Sequence, residues 1–200
     1  MNTQSLLSPT VATLAIIRNN RGSRPGADIR HVAVFLASTT SCGNHQFQIH
    51  EQSFPGSADG KDVTEWLASI IPPGADMALR PSGDMDDPRV SSEGAAPTTV
   101  RSPWWPMADM AWLRQRFGND PRIWTLDLSD TDIAKTAETM DLPFAVPGAP
   151  WQQRAVHAAS EAQTIWFHLL MLTCEDDEIA RGIAAWEAWA WGDLVRPIAS

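Results

Sequence analysis

The feature that most constrains the fold is an apolar run followed by a small-residue turn and an alternating segment. The run covers residues 31–36 (His-Val-Ala-Val-Phe-Leu) and is typical of a strand buried on both faces. Beyond the turn, which ends at Gly43, residues 45–50 alternate polar and apolar side chains, as a half-exposed strand does. The two segments therefore predict an antiparallel hairpin.

The rest of the chain alternates predicted helices with predicted strands. An apolar stripe at helical spacing or a capping residue indicates helices over residues 63–71, 107–117, 130–140, 152–173 and from 176 onward. Short apolar runs indicate further strands over residues 75–80 and 122–128. This order predicts an α/β fold in which the segments 31–37, 45–51, 75–80 and 122–128 form one sheet and helix 152–173 packs across it.

The length of the chain, 200 residues, is that of a single domain. Residues 1–30 are rich in turn signals and predict a loosely ordered N-terminal arm, although the apolar run 11–17 could add a strand or a short helix. We assign residues 31–174 to the main domain and residues 175–200 to a Trp-rich helix that packs on this domain or extends it. Residues 81–103, poor in apolar side chains, predict a long surface loop.

Composition narrows the classes of function. The formal net charge is −9, with two lysines, which argues against tight, non-specific binding of phosphates. The two cysteines form neither a disulfide framework nor a zinc-binding pattern, so a cytoplasmic location is expected. The N-terminal stretch lacks a basic leader, so a signal peptide is not expected. No apolar run reaches about 18 residues, so no membrane span is expected. The ten tryptophans suit a core and an interface.

Four degenerate motifs follow one another along the chain. They are Leu-Ala-Ser-Thr-Thr-Ser-Cys-Gly at 36–43, Met-Ala-Asp-Met-Ala-Trp-Leu at 107–113, Ile-Trp-Thr-Leu-Asp-Leu at 123–128 and Arg-Ala-Val-His-Ala-Ala-Ser-Glu-Ala at 154–162. In type and order they resemble the motifs of the DEDD class of 3′–5′ exonucleases, the proofreading type. The resemblance implies a single ribonuclease H-like domain with a mixed central sheet and flanking helices.

The resemblance also implies which residues take part in the chemistry. Its catalytic remnants are Asp109, Glu161 and His157, of which Asp109 and Glu161 are the candidate metal ligands, and Asp86 is a rival to Asp109. The family's first acidic pair falls on Ala37 and Thr39, neither of which is a carboxylate. Two divalent ions normally require about four carboxylates, so at most one weakly bound Mg²⁺ or Mn²⁺ is expected.

We expect Ala37, Thr39, Asp109 and Glu161 to converge on one concave patch if the resemblance holds. Thr39, Trp104 and Trp105 are the candidate nucleic-acid contacts, since aromatic pairs can stack bases, although such a pair also anchors a loop. The spacing of His157, Glu161 and His168 places them on one helical face, which suits either a metal site or a solvated surface.

Two functions follow from these residues. The first is an exonuclease-like protein that acts, or once acted, on 3′ ends of single-stranded DNA or RNA, with catalysis impaired by the missing acidic pair. The alternative is a non-enzymatic module that uses its C-terminal Trp-rich helix to bind a protein partner or a second copy of itself.

Overall fold

The structure, a computed structural model, describes residues 7–18, 29–40, 42–58, 60–80, 123–146 and 148–192. Its strands are β1 (Thr10–Arg18), β2 (Ile29–Thr39), β3 (His45–Ala58), β4 (Asp76–Leu79) and β5 (Ile123–Thr125). Its helices are α1 (Gly60–Ile70), α2 (Asp130–Thr139), α3 (Trp151–Val156), α4 (Ala158–Thr173) and α5 (Asp176–Gly192). None of the described helices is both long and apolar enough to span a membrane.

The strands form one mixed sheet in the order β3-β2-β1-β4-β5. Strands β1, β2 and β3 are an antiparallel meander, while β4 and β5 run parallel to β1. Segments of all four predicted strands therefore lie in one sheet, and the prediction of a mixed α/β fold is confirmed at this level. The predicted strand 122–128 is shorter than expected, since only Ile123–Thr125 is paired.

The sequence predicts a loosely ordered arm over residues 1–30 but leaves open a strand or a short helix for residues 11–17, and for Thr10–Arg18 the structure has the strand. It is β1, the central strand, paired with β2 on one side and β4 on the other. Its side chains from Val11 to Ile17 are all buried, so an apolar strand is stabilised on both faces. The turn signals around the run suggested an arm because they are local, whereas the pairing partners are distant in sequence.

The helix predicted over 152–173 is two helices, α3 and α4, interrupted at His157. The backbone of His157 leaves helical geometry (φ −111°, ψ 13°), while its N–H still donates to the carbonyl of Arg154 at 3.0 Å. The predicted helix 107–117 and the predicted loop 81–103 lie outside the described residues.

Helices cover both faces of the sheet. On one face, Val63 and Leu67 of α1 pack against apolar side chains of β1, β2 and β4. Ile71, the residue after the end of α1, packs there too. On the other face, α4 lies across β1 and β2, and α5 packs on α4 and reaches β3. The aromatic centre of this second layer is Phe35, Phe47, Trp166 and Trp189. The two Phe rings lie 5.4–5.9 Å from each other and from both Trp rings, measured between centroids.

Candidate functional site

The candidate site lies where the parallel strands β4 and β5 end. Arg80 directly follows β4, and Asp130 begins α2 shortly after β5. Glu161 lies in the first turn of α4, and Arg154 in α3. The carboxyl ends of parallel strands are where open α/β sheets commonly place their ligands, because the helices that follow diverge there. The topology thus brings four charged side chains from separate segments to one place.

Arg80 is the centre of this charged cluster. Its Nε donates to Glu161 Oε1 at 2.7 Å, and its Nη1 lies 2.8 Å from Asp130 Oδ1. The same Nη1 donates to the carbonyl of Leu128 at 3.3 Å. Arg80 and Glu161 are both buried, with 8% and 9% of their surface exposed. A buried charge needs a partner with good geometry, and each of these two charges has one.

Arg154 is a second, weaker cation of the cluster. Its Nη2 lies 3.5 Å from Glu161 Oε1, a distance that allows an ion pair but only a marginal hydrogen bond. Two arginines and two carboxylates bring the formal charge of the cluster to zero.

The ionisation states follow from these contacts. Burial of the Asp130 carboxyl raises its pKa, but the hydrogen bond and charge of Arg80, with smaller help from Arg154 and the N–H of Gly148, lower it overall. Burial of Arg80 lowers its pKa, but Glu161 and Asp130 more than offset this effect and raise it. Arg80 is therefore a permanent cation, and Asp130 is ionised at neutral pH.

The start of α2 explains why Asp130 is held in place. Ser129 caps this helix: its hydroxyl accepts from the N–H of Asp132, and the Asp132 carboxylate accepts from the N–H of Ser129. This reciprocal capping box satisfies two otherwise unpaired backbone donors. The helix dipole also favours the carboxylates of its first turn. The local sequence therefore fixes the residue that meets Arg80.

A partly open pocket of about 360 Å³, counting space open to solvent, lies beside the cluster. Its charged wall consists of Arg80, Asp130, Arg154, His157 and Glu161, and its other wall is mainly apolar, formed by Ile133, Ala137, Phe144, Ala145 and Val146. Phe144 and Val146 are exposed at its rim. The enclosed part of this pocket has room for little more than one water molecule.

The cluster does not fit the divalent ion that the resemblance implies. Glu161 and Asp130 are carboxylates of the kind that Mg²⁺ and Mn²⁺ prefer, but both already bind Arg80 at 2.7–2.8 Å. A guanidinium at this distance repels a second cation and already occupies one oxygen of each carboxylate, Glu161 Oε1 and Asp130 Oδ1. Arg80 therefore has the position and the charge of a resident cation.

The sequence-predicted residues are only partly brought together. Glu161 and His157 both line the pocket. Asp109, Asp86, Trp104 and Trp105 lie outside the described residues. His168 points to α2 instead, where its Nε2 lies 2.8 Å from the Thr136 hydroxyl. Within the described residues no three His, Cys, Asp or Glu side chains are grouped to hold a metal, so the helical face of His157, Glu161 and His168 is not such a group.

Thr39 and Ala37 lie in β2, whose end pairs with the start of β1. The N–H of Thr39 bonds to the carbonyl of Pro9 at 2.7 Å, whereas Leu79, the residue before Arg80, pairs with Leu14. These two levels of β1 are roughly 17 Å apart, since a strand rises about 3.4 Å per residue. Ala37 is buried in the apolar cluster under α4 and α5. The strand level thus separates Thr39 from the end of β4, and the convergence of Thr39 with Glu161 stays a prediction.

Sequence reasoning missed Arg80 and Arg154 and treated Asp130 only as a helix cap. The available signal was an arginine directly after the short apolar run that became β4. Nothing local shows that this guanidinium is buried, because its partners come from segments 50 and 81 residues further along the chain.

Comparison with known proteins adds no family. No protein-family model matches the chain, and no curated protein matches it either.

Proposed function

We propose that the chain is an exonuclease-like protein on a ribonuclease H-like fold whose phosphodiester hydrolysis is impaired, because an arginine takes the place of the catalytic cation. The observation that carries the proposal is the contact of Arg80 with Glu161 and Asp130 at 2.7 and 2.8 Å. The fold assignment has the support of the mixed five-stranded sheet, with an antiparallel meander and helices on both faces.

The missing first acidic pair supports impaired hydrolysis on either of two strands. The resemblance places this pair at Ala37 and Thr39 on β2, whereas the first strand in chain order is β1. Strand β1 (Thr-Val-Ala-Thr-Leu-Ala-Ile-Ile-Arg) contains neither Asp nor Glu. If the first motif is assigned to β1 instead of residues 37–39, the acidic pair is therefore still missing.

Electrostatics favours loss of metal-dependent catalysis over a weak retained site. A divalent ion would have to displace a buried guanidinium from two carboxylates and leave that positive charge beside it. Breaking a buried ion pair in this way commonly costs about 3–5 kcal/mol. Each 1.4 kcal/mol weakens binding about tenfold, so this cost would weaken the binding of Mg²⁺ or Mn²⁺ by roughly 10²–10⁴-fold.

A non-enzymatic interaction module is the second candidate, and the exposed apolar side chains of α4 and α5 favour it. Met171, Leu172 and Trp191 are 53%, 47% and 56% exposed. Trp186, by contrast, is buried and donates its indole N–H to Gln163 at 2.9 Å. A protein partner would contact the exposed side chains of Met171, Leu172 and Trp191. A cytoplasmic location and binding of single-stranded 3′ ends remain parts of the proposal.

A nuclease assay tests the proposal directly. The full chain is incubated with 5′-labelled single- and double-stranded DNA and RNA in the presence of Mg²⁺ or Mn²⁺, beside a Glu161→Gln variant purified in parallel. We expect no shortening from the 3′ end above the level of the variant, because the variant reports any contaminating nuclease. Robust 3′ trimming by the wild type that Glu161→Gln abolishes would overturn the proposal.

A further inference from the structure

The outer edge of β3 is a strand edge that remains unpaired within the described part of the chain. Strand β3 pairs with β2 along one side, and no strand in the described part of the chain pairs with the other side. The backbone N–H and C=O groups of such an edge are a template for another strand, so proteins usually protect it with lysines, prolines, bulges or short strands.

Strand β3 lacks these protections over most of its length. Residues 45–54 (His-Gln-Phe-Gln-Ile-His-Glu-Gln-Ser-Phe) include no lysine, proline or glycine. The register with β2 runs without a bulge from the pair of His31 and Ser53 to the pair of Thr39 and His45. Nine paired residues make a straight edge of roughly 30 Å.

Two copies of this strand can pair antiparallel with Gln48 opposite Gln48. In that register Phe47 lies opposite Ile49, Gln46 opposite His50, and His45 opposite Glu51, so each side chain meets one of matching type. We propose that a second copy of the chain pairs antiparallel with β3 about a two-fold axis through Gln48. This inference does not depend on the proposed function, because it uses neither the pocket nor the charged cluster.

The two-fold register places apolar side chains opposite apolar ones and polar side chains opposite polar ones across the new boundary. Ile49, which is 37% exposed, lies opposite the partner's Phe47, which is 7% exposed, and Glu51, which contacts His31 of its own sheet at 3.2 Å, lies opposite the partner's His45. An aromatic–aliphatic cross-strand pair stabilises an antiparallel pair by roughly 0.2–1 kcal/mol. Moving the axis to Ile49 would place Phe47 opposite the carboxylate of the partner's Glu51, so the axis through Gln48 is the better match.

The symmetry limits the assembly to two chains. A two-fold contact uses the same edge of both copies, and the result is one continuous sheet of ten strands, five from each copy. The net charge of −9 on each chain opposes association, so the dimer should strengthen as salt screens this repulsion.

Light scattering coupled to size-exclusion chromatography, over a concentration series of the full chain, tests the dimer. We expect a concentration-dependent dimer, and a Gln48→Lys variant that dissociates on the order of fivefold more readily, because two ammonium groups would face each other on the axis. The matched control is Gln153→Lys, an exposed glutamine on α3 that changes the net charge equally. A chain that is monomeric throughout, or equal losses in both variants, would overturn the proposal.

Disulfide trapping tests the register. In a Cys42→Ser background, which removes the exposed native thiol, Gln48→Cys should cross-link two chains under mild oxidation, since residues on the axis are about 4.5–5.5 Å apart between Cα atoms. His50→Cys, on the same face of the same strand, should not, because its copies are roughly 14 Å apart along the strand. Equal cross-linking of both variants, or cross-linking of His50→Cys alone, would contradict the register.

Discussion

The two faces of the sheet are buried by different kinds of contact. The α1 face is held by aliphatic side chains such as Leu14, Leu67 and Met77. The α4 face adds buried hydrogen bonds: Thr13 Oγ1 donates to the carbonyl of Ala162 at 2.7 Å, and Arg80 Nε donates to Glu161 at 2.7 Å. Apolar packing tolerates small shifts, whereas polar contacts fix one position, so the α4 face is where the fold can hold a site.

The largest expected effect of a single substitution is on the polar face. Arg80→Ala leaves the buried carboxylate of Glu161 without its hydrogen-bonded partner, and it also removes the ion-pair partner of Asp130. We expect the free energy of unfolding, measured by urea denaturation, to fall by about 3–5 kcal/mol. Arg154→Ala is the control, because its ion pair with Glu161 is long, at 3.5 Å, and it should lower stability by clearly less than Arg80→Ala does. Equal effects of the two variants would mean that Arg80 is not the centre of the cluster.

On the aliphatic face, Leu67→Ala tests ordinary packing. Leu67 is 2% exposed, so the variant loses buried apolar surface and leaves a cavity. We expect a loss of about 2–4 kcal/mol in urea denaturation, with the same value at pH 5.5 and pH 8, since no charge is involved. A loss that depends strongly on pH would show that the α1 face is not the purely apolar layer described above.

A smaller effect should follow from removing one buried hydroxyl. Thr13 is fully buried on β1, and its hydroxyl ties the strand to α4 through Ala162. Thr13→Val keeps the shape of the side chain and removes this hydrogen bond, so stability should fall by about 1 kcal/mol. Thr13→Ser keeps the hydroxyl but loses a methyl group, so comparing the two variants separates the contribution of the hydrogen bond from that of the methyl group. A Thr13→Val protein as stable as the wild type would mean that the bond does not position α4.

The smallest expected effect is a pH dependence at the contact of α2 with α4. Burial lowers the pKa of His168, although the charge and backbone of Asp132 act in the opposite direction. The unfolded chain therefore binds a proton to this histidine more readily than the folded chain does. Its contribution to stability is complete above about pH 6.5 and is lost as the pH falls toward the lowered pKa. His168→Gln should flatten this part of the stability profile, measured by urea denaturation at several pH values, and an unchanged profile would contradict the assignment.

How much the sequence could predict also differs between regions. The hairpin of β2 and β3 was predictable because a buried run and an alternating run are periodic over several residues. Strand β1 could be predicted only as one of two alternatives, a strand or a short helix, since its apolar run is short and turn signals surround it, and only pairing on both sides defines it as the central strand. Tertiary pairing decided this element, not local propensity.

The candidate site shows the same limit. Glu161 and His157 were found through their place in a motif, and both line the pocket. Arg80 and Arg154 could not be found in this way, because the sequence does not show which charged side chain will be buried or which distant carboxylate it will meet.

The central claim is that Arg80 serves as the permanent cation of the carboxylate cluster. A titration of the full chain with Mn²⁺, in which the free ion is followed by its paramagnetic resonance signal, tests this claim most directly. We predict that wild type and Glu161→Gln give the same titration curve, because Glu161 is already bound to Arg80 at 2.7 Å. A saturable Mn²⁺ site in the wild type that is absent from Glu161→Gln would contradict the claim.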